Sequence, residues 1–351
     1  MIMAGGTGGH IFPALAVAEY VRERGWNVVW LGSRAGMEAR LVPERGYTMA
    51  WIRFSGVRRR GLFAFALLPL NLLIAFAQSF KAIFVHRPDV VLGMGGYVAF
   101  PGGMMASLLN RPLAIHEQNS IAGLANRVLA KLADKVLVAF PGAFGKDKRP
   151  EWTGNPVRAE ISGIPAPEAR FACRAGRLRL LVLGGSQGAA ALNEVVPHAV
   201  SLMPDPARPQ VTHQTGTVQA DAVRGRYAAA GVPADVLPFI ADMARAYAEA
   251  DVMICRAGAS TIAELAAAGV PAVLVPFPHA VDDHQTHNAR FLSERGAAVL
   301  IPQSALTADR LAELLATFTR DKLLAMARAA RDAGKPDATR AVAEACMGLA
   351  A

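Results

Sequence analysis

The sequence predicts an α/β protein of two domains, each a parallel sheet wound with helices, and three observations carry that prediction. Short apolar runs alternate with helical periods almost without a break, and apolar strands lacking polar alternation belong to parallel sheets covered on both faces. The rhythm stops over residues 141–177, where five prolines and many charges fall, and then restarts. The 351 residues are 53% hydrophobic, enough for two ordinary cores and far from a disordered composition.

Taken in order, "MIMA" reads as a strand, followed by the glycine loop "GGTGGH" and the helix "PALAVAEYVRER". Pro13 suits a first helical turn and Gly25 an exit. Strands follow at "NVVWLG" and "YTMAWIRF", then the apolar stretch "GLFAFALLPLNLLIAFAQSF" at residues 61–80. "DVVLGMGG", "RPLAIHEQN" and "KVLVAF" read as strands, with "PGGMMASLL" and "GLANRVLAKLA" as the helices between them. The junction falls near Pro156 to Arg177. Beyond it "LRLLVLGGSQGAAALNEVV" repeats strand, glycine loop and helix; "QVTHQT", "ADVLPFI", "DVMICRAG", "PAVLVPF" and "AAVLIP" follow as strands, and helices run from about residue 306 to the end. Two Rossmann-like domains facing one another are expected.

Cys173, Cys255 and Cys346 lie far apart with no C-x-x-C spacing, which argues against a disulfide framework and a zinc site and for a reducing compartment. No secretory signal pattern opens the chain, so a cytoplasmic location is expected. The net charge of +9 calls for an anionic partner. Residues 45–88 hold no Asp or Glu but carry Arg45, Arg53, Arg58, Arg59, Arg60, Lys81 and Arg87 around the apolar stretch. No aromatic-plus-basic RNA motif or zinc finger accompanies them, so nucleic acid is not an expected partner.

Three loops, "AGGTGGH" (4–10), "LGMGGYVAFPGG" (92–103) and "LGGSQGA" (183–189), each follow a strand and precede a helix. Glycines let backbone approach a phosphate, and helix N-termini favour negative charge. Neither a full G-x-G-x-x-G nor a G-x-x-x-x-G-K-[ST] occurs, which argues against a nicotinamide dehydrogenase.

The ordered set "GGTGGH", "LGMGGY", "HEQN", "GNPVR", "GGSQGA" and "CRAGASTIAELAAAG" resembles the MurG family of glycosyltransferases over essentially the whole chain. The resemblance implies a GT-B fold, two Rossmann-like domains with parallel sheets facing across a cleft. It implies transfer of N-acetylglucosamine from UDP-GlcNAc to undecaprenyl-diphospho-N-acetylmuramoyl-pentapeptide (lipid I), giving lipid II with inversion and without a cofactor or metal. Residues 1–157 with 336–351 would form the acceptor and membrane-associating domain, and 158–335 the UDP-GlcNAc domain. Two departures stand out. The first strand begins at Met1 where relatives carry several preceding residues, which leaves a short strand or a trimmed start. "PFPHAVDDHQTHNAR" places His284 before Gln285 where paired glutamines are usual.

Carried over residue by residue, the resemblance assigns the donor to Thr7, Gly8, Gly9, Asn119, Arg158, Ser186, Ile240, Ala259, Ser260, Thr261, Ile262, Ala263, Glu264 and Gln285. Gly5, Gly6, Gly95, Gly96 and Tyr97 are expected at the acceptor's diphosphate. Several have bland alternatives. Thr261-x-x-Glu264 matches a capping box, although the family's ribose-binding glutamate aligns there. Ser186 could simply cap a helix, Arg158 is most often a surface charge, and Ile240 would ordinarily be core. His279, Asp282, Asp283, His284 and His287 invite a metal, but the spacing lacks H-E-x-x-H and a binding loop explains them.

His10 is the first candidate for the general base, because imidazole titrates near neutrality and the residue sits at the loop's exit. Glu117 is a second candidate or an orienting group. The apolar stretch is too interrupted, by Pro69, Asn71 and Gln78, to span a bilayer, and strands of one sheet flank it. A buried core helix remains open. An interfacial helix fits the basic flank best: Arg58, Arg59 and Arg60 on anionic headgroups, with Phe63, Phe65, Leu68, Leu72 and Phe76 dipping in. That implies peripheral attachment at the cytoplasmic face of the inner membrane. It also admits cell-wall synthesis or division proteins as partners, with roles in cell shape and division. A UDP-GlcNAc 2-epimerase-like enzyme and a non-catalytic nucleotide-sugar or lipid binding module are the alternatives.

Overall fold

The computed structural model describes residues 1–54, 67–145, 150–185 and 188–350. It forms two compact units, Met1–Arg158 with Pro336–Ala351, and Ala159–Lys335. Arg158 thus closes the first unit, whereas the sequence had placed it at the head of the second.

The first unit holds β1 (Ile2–Met3), β2 (Val29–Ser33), β3 (Thr48–Ile52), β4 (Val91–Gly93), β5 (Leu113–Glu117), β6 (Lys135–Val138) and β7 (Glu151–Trp152). Their order is β3-β2-β1-β4-β5-β6-β7, and every pairing is parallel. Both faces are covered, so neighbouring strand residues enter different cores. Ile2, Trp30, Leu92 and Ala114 pack on one side, and Met3, Leu31, Val91 and Ile115 on the other. That is why these strands read as unbroken apolar runs.

The helices of this unit are α1 (Gly8–Arg22), α2 (Glu38–Leu41), α3 (Leu68–His86), α4 (Ala99–Leu108) and α5 (Leu124–Leu129). Helix α1 begins five residues before Pro13, which lies buried inside it. The glycine loop is therefore shorter than the sequence suggested, and His10 stands in the first helical turn.

Helix α3 corrects the reading of the apolar stretch. It starts at Leu68, next to Pro69, runs to His86, and ends at Arg87 in a left-handed conformation. Ala75, Ser79 and Ile83 form its buried stripe. Leu68, Leu72 and Phe76, expected to dip into lipid, are half-buried beside that stripe, with the Phe76 ring 6.0 Å from Phe100. These three positions lie along the inward side of the helix. Leu70, Leu73, Ile74, Phe80, Phe84 and Val85 are its large apolar residues that are exposed. Length and composition alone would let α3 cross a membrane; the strands on either side of it, β3 and β4, belong to one sheet. Arg58, Arg59, Arg60, Phe63 and Phe65 lie outside the described residues.

The second unit contains β8 (Arg179–Leu183), β9 (Gln210–Gln214), β10 (Ala234–Leu237), β11 (Val252–Cys255), β12 (Ala272–Leu274) and β13 (Ala298–Leu300). They are parallel in the order β10-β9-β8-β11-β12-β13. Its helices are α6 (Ala159–Ser162), α7 (Pro167–Ala172), α8 (Ala190–Leu202), α9 (Ala220–Ala229), α10 (Met243–Glu249), α11 (Ala259–Ala268), α12 (His284–Ser293), α13 (Ala308–Ala316) and α14 (Arg320–Ala333).

The final helix, α15 (Ala338–Ala350), returns to the first unit. There Val342, Ala343 and Cys346 join the core of Ile11 and Leu15, and the Thr339 hydroxyl donates to the Val157 carbonyl at 3.0 Å.

Strand order reverses between β1 and β4 and between β8 and β11. Loops leaving such neighbouring strands diverge, and ligands of open α/β sheets bind at these points. The first two glycine loops, Gly184 and Gly185 of the third, and the "CRAGAS" turn lie there.

Candidate active site

At the first reversal the loops after β1 and β4 pack directly on one another. A β-carbon at Gly96, whose φ is +79°, would overlap the Gly5 carbonyl oxygen. Beneath them lies Glu38, fully buried. Its carboxylate accepts from the Gly6 amide at 3.0 Å, the Ser33 amide at 3.1 Å and the Ser33 hydroxyl at 3.2 Å. The Tyr97 hydroxyl donates to Ser33 Oγ at 2.9 Å and lies 3.5 Å from a Glu38 oxygen.

The Gly6 amide and the Tyr97 hydroxyl, both expected at the acceptor's diphosphate, are hydrogen-bonded within the protein. Much of the glycine content of Gly5, Gly6, Gly95 and Gly96 serves loop-on-loop packing. The first turn of α1 remains suited to an anion, since Thr7, Gly8 and Gly9 open it without an acidic residue or side-chain cap.

His10 Nδ1 lies 2.9 Å from Gln118 Oε1. Gln118 Nε2 in turn lies 3.0 Å from His116 Nδ1 and 3.1 Å from the His116 carbonyl, and His116 Nε2 lies 2.9 Å from the Gly154 carbonyl. Burial pushes the His116 imidazole down to about 4, so it is neutral at ordinary pH. Gly95, with φ at +88°, leaves room for the pair: a β-carbon there would stand 2.7 Å from His10 Nδ1 and 3.1 Å from Gln118 Oε1.

Alternation along β5 sends Glu117 to the opposite side from His116 and Gln118. One Glu117 oxygen accepts from the Asn119 amide at 2.9 Å and Asn119 Nδ2 at 3.3 Å. The other accepts from the Gly123 amide at 3.2 Å and Asn126 Nδ2 at 2.8 Å. With four donors on a 3% exposed carboxylate, Glu117 organises the 118–126 loop, and Asn119 within it.

In the second unit, helix α11 starts at Ala259 with Gly258 as its cap, and neither an acidic first-turn residue nor a side-chain cap is present. Thr261 therefore lies inside the first turn, and the capping-box reading of Thr261 and Glu264 does not hold. Instead Glu264 accepts from the Tyr247 hydroxyl at 2.9 Å, which fixes its carboxylate from α10. Ala259, Ser260 and Thr261 open a ten-residue helix, with the Ser260 hydroxyl buried and unpartnered among the described residues. Ile262 is buried core, while Ala263 is half-buried one step from Glu264.

Gln285 Oε1 accepts from the amides of Ala257 and Phe277 at 3.3 and 2.9 Å, so its amide nitrogen is the end left to face a ligand. Asp282 and Asp283 precede it in left-handed backbone. Ile240 is 8% exposed beside Phe239, which is 66% exposed; both line a groove of about 600 Å³. Gln214 ties this segment to the glycine loop, bonding both the amide and carbonyl of Gly185 and donating to the Pro238 carbonyl. Ser186 lies outside the described residues. Arg158 is half-buried at the end of the first unit.

Sequence reasoning missed Gln118, Glu38, Tyr247 and Gln214. Gln118 stood within a quoted motif, between two residues that drew attention. The other three act through partners 17 to 32 residues away, which no local pattern exposes.

The glycosyltransferase family 28 N-terminal domain matches residues 1–138, and the family 28 C-terminal domain matches residues 179–342. A protein of Cupriavidus metallidurans is 63% identical over 350 residues, covering 100% of this chain and 98% of its own. One of Thiobacillus denitrificans is 60% identical, with the same coverage. Both are named UDP-N-acetylglucosamine–N-acetylmuramyl-(pentapeptide) pyrophosphoryl-undecaprenol N-acetylglucosamine transferase. Among solved structures, Acinetobacter baumannii MurG superposes with a TM-score of 0.86 at 41% identity, covering 99% of both chains. The calicheamicin glycosyltransferase CalG4 shares the fold at 19% identity and a TM-score of 0.66.

Proposed function

We infer from the chain's membership of glycosyltransferase family 28, to which it belongs through both its domains, that it is an inverting N-acetylglucosaminyltransferase. It transfers N-acetylglucosamine from UDP-GlcNAc to the muramoyl sugar of undecaprenyl-diphospho-MurNAc-pentapeptide, producing lipid II for peptidoglycan synthesis. The observation that carries this is full-length identity of 63% to a transferase of that name.

The chemistry follows from the groups in place. The muramoyl C4 oxygen forms a bond to the anomeric carbon while the bond from that carbon to the UDP oxygen breaks, and the electron pair leaves with UDP. Attack on the face opposite UDP turns an α linkage into a β linkage. The hydroxyl proton passes to His10, half-buried at the head of α1. The N-terminal amides of α11 meet the charge developing on UDP. Glu264, held by Tyr247, accepts from the ribose hydroxyls, and Ile240 offers its backbone to the uracil edge.

Peripheral attachment to an anionic membrane surface at the cytoplasmic face belongs to the same proposal. Its support is the exposed apolar side of α3, with Leu73 65% and Phe84 59% exposed, next to a segment free of acidic residues. A lipid-linked acceptor requires such a position. Cell shape and division then depend on the product, and cell-wall synthesis or division proteins are the partners this enzyme would meet there.

Incubation with UDP-GlcNAc and a lipid I analogue tests the activity. A β-linked disaccharide together with UDP is expected. UDP-N-acetylmannosamine would instead indicate an epimerase, and no turnover a binding module.

A further inference from the structure

Two backbone carbonyls fix every proton in the chain that runs from Gly154 to His10. A carbonyl only accepts, so His116 Nε2, 2.9 Å from the Gly154 oxygen, carries a hydrogen. By the same logic the Gln118 side-chain atom 3.1 Å from the His116 carbonyl is the donating amide nitrogen. Its second hydrogen points at His116 Nδ1, 3.0 Å away, which is therefore the bare nitrogen of the ring.

His116 is wholly buried, and its low value of about 4, caused by that burial, agrees with a single ring proton. The Gln118 amide, pinned at its nitrogen, must turn its oxygen to His10. That oxygen can only accept, and it lies 2.9 Å from His10 Nδ1.

We propose that Gln118 is a positioning residue that holds His10 as the Nδ1–H tautomer, leaving the Nε2 lone pair free to take a proton. Which nitrogen of a histidine is protonated is set by the bond the other nitrogen makes, and here that bond is made by a neutral amide rather than a carboxylate. The chain orients protons without passing them on, because an amide N–H held between two acceptors has no lone pair to relay a proton. After the hydroxyl proton arrives on Nε2, the Nδ1–H bond to Gln118 is retained and the positive ring faces the amide oxygen. The catalytic half of this proposal rests on His10 being the base; the tautomer assignment does not.

Long-range proton–nitrogen correlation spectra of the full chain labelled with 15N-histidine test it, with the His10 signals assigned by their loss in His10→Ala. The wild-type spectrum is expected to show His10 protonated at Nδ1 and bare at Nε2. Gln118→Met should move the proton to Nε2 or mix the two forms. It should lower kcat by about 10- to 100-fold while UDP-GlcNAc affinity stays within about twofold. A wild-type His10 protonated at Nε2 overturns the proposal, and that spectrum decides even where the variant does not fold. An unchanged tautomer in a folded Gln118→Met also overturns it. A correct tautomer combined with full turnover in His10→Ala would refute the base reading alone, so the two failures are distinguishable.

Discussion

Gly95 stands against the ring of His10: a β-carbon placed on it would lie 2.7 Å from Nδ1 and 2.9 Å from Cε1. No side chain fits there without breaking the 2.9 Å bond between His10 and Gln118. The loop after β4 thus sets the position of a ring carried by α1. Gly95→Ala is expected to lower turnover at least about tenfold and to cost roughly 1–3 kcal/mol for forcing alanine to φ +88°. UDP-GlcNAc affinity, measured calorimetrically, should fall far less than turnover, because Glu264 and the α11 N-terminus are in the other unit.

Glu117 is expected to behave as a loop organiser. Glu117→Gln replaces one accepting oxygen by an amide that meets a donor, at a cost of about 1–3 kcal/mol. Urea unfolding should show that loss, and turnover should fall only modestly. A loss of 10²-fold or more in kcat with unchanged stability would instead identify Glu117 as a base.

Acid should destabilise both units through buried histidines. Burial lowers His116 and His213 from an ordinary value of 6.5 to about 4 each. His213 is held neutral between Tyr227 and Asn193. Below pH 6.5 the unfolded chain takes up a proton at each site that the folded chain refuses. Stability is therefore full above pH 6.5 and declines until about pH 4, by up to about 3 kcal/mol per histidine. Denaturant midpoints taken from pH 7 to 4.5 should show this decline, and His213→Gln should flatten it for the second unit. A parental slope in that variant contradicts the assignment.

Membrane association should depend on the outward side of α3. Phe84→Glu combined with Leu73→Glu is expected to abolish sedimentation with vesicles containing anionic lipid. Transfer to a soluble acceptor analogue should remain. Leu72 and Phe76 lie beside the buried stripe, so changing them should lower the unfolding midpoint first. Vesicle binding that survives the double glutamate variant would remove α3 as the docking surface.

The two parallel sheets were legible because strands buried on both faces cannot hide their apolar runs: β4, β5, β8 and β11 all stand where "DVVLG", "PLAIHE", "LRLLVL" and "DVMIC" placed them. The start of α1 was not legible, since Gly8 and Gly9 favour a loop on propensity and only packing of the apolar residues beyond them extends the helix. The face of α3 was misjudged because both of its sides are apolar, so spacing could not tell core from surface. His10 in the first unit and Glu264 in the second could each be named from motifs. The groups bonded to them, Gln118 just beyond β5 and Tyr247 on α10, depend on contacts between elements. Glu38, one residue of a four-residue helix, carried no signal until its position under Gly6 was known.

The transfer reaction of His10→Ala tests the central claim most directly, with rates measured under saturating UDP-GlcNAc and acceptor and donor affinity measured separately. The account predicts a fall in kcat of about 10²- to 10⁴-fold with donor affinity within about twofold of the parent. Turnover that survives, or that falls only in proportion to a loss of donor binding, would contradict it.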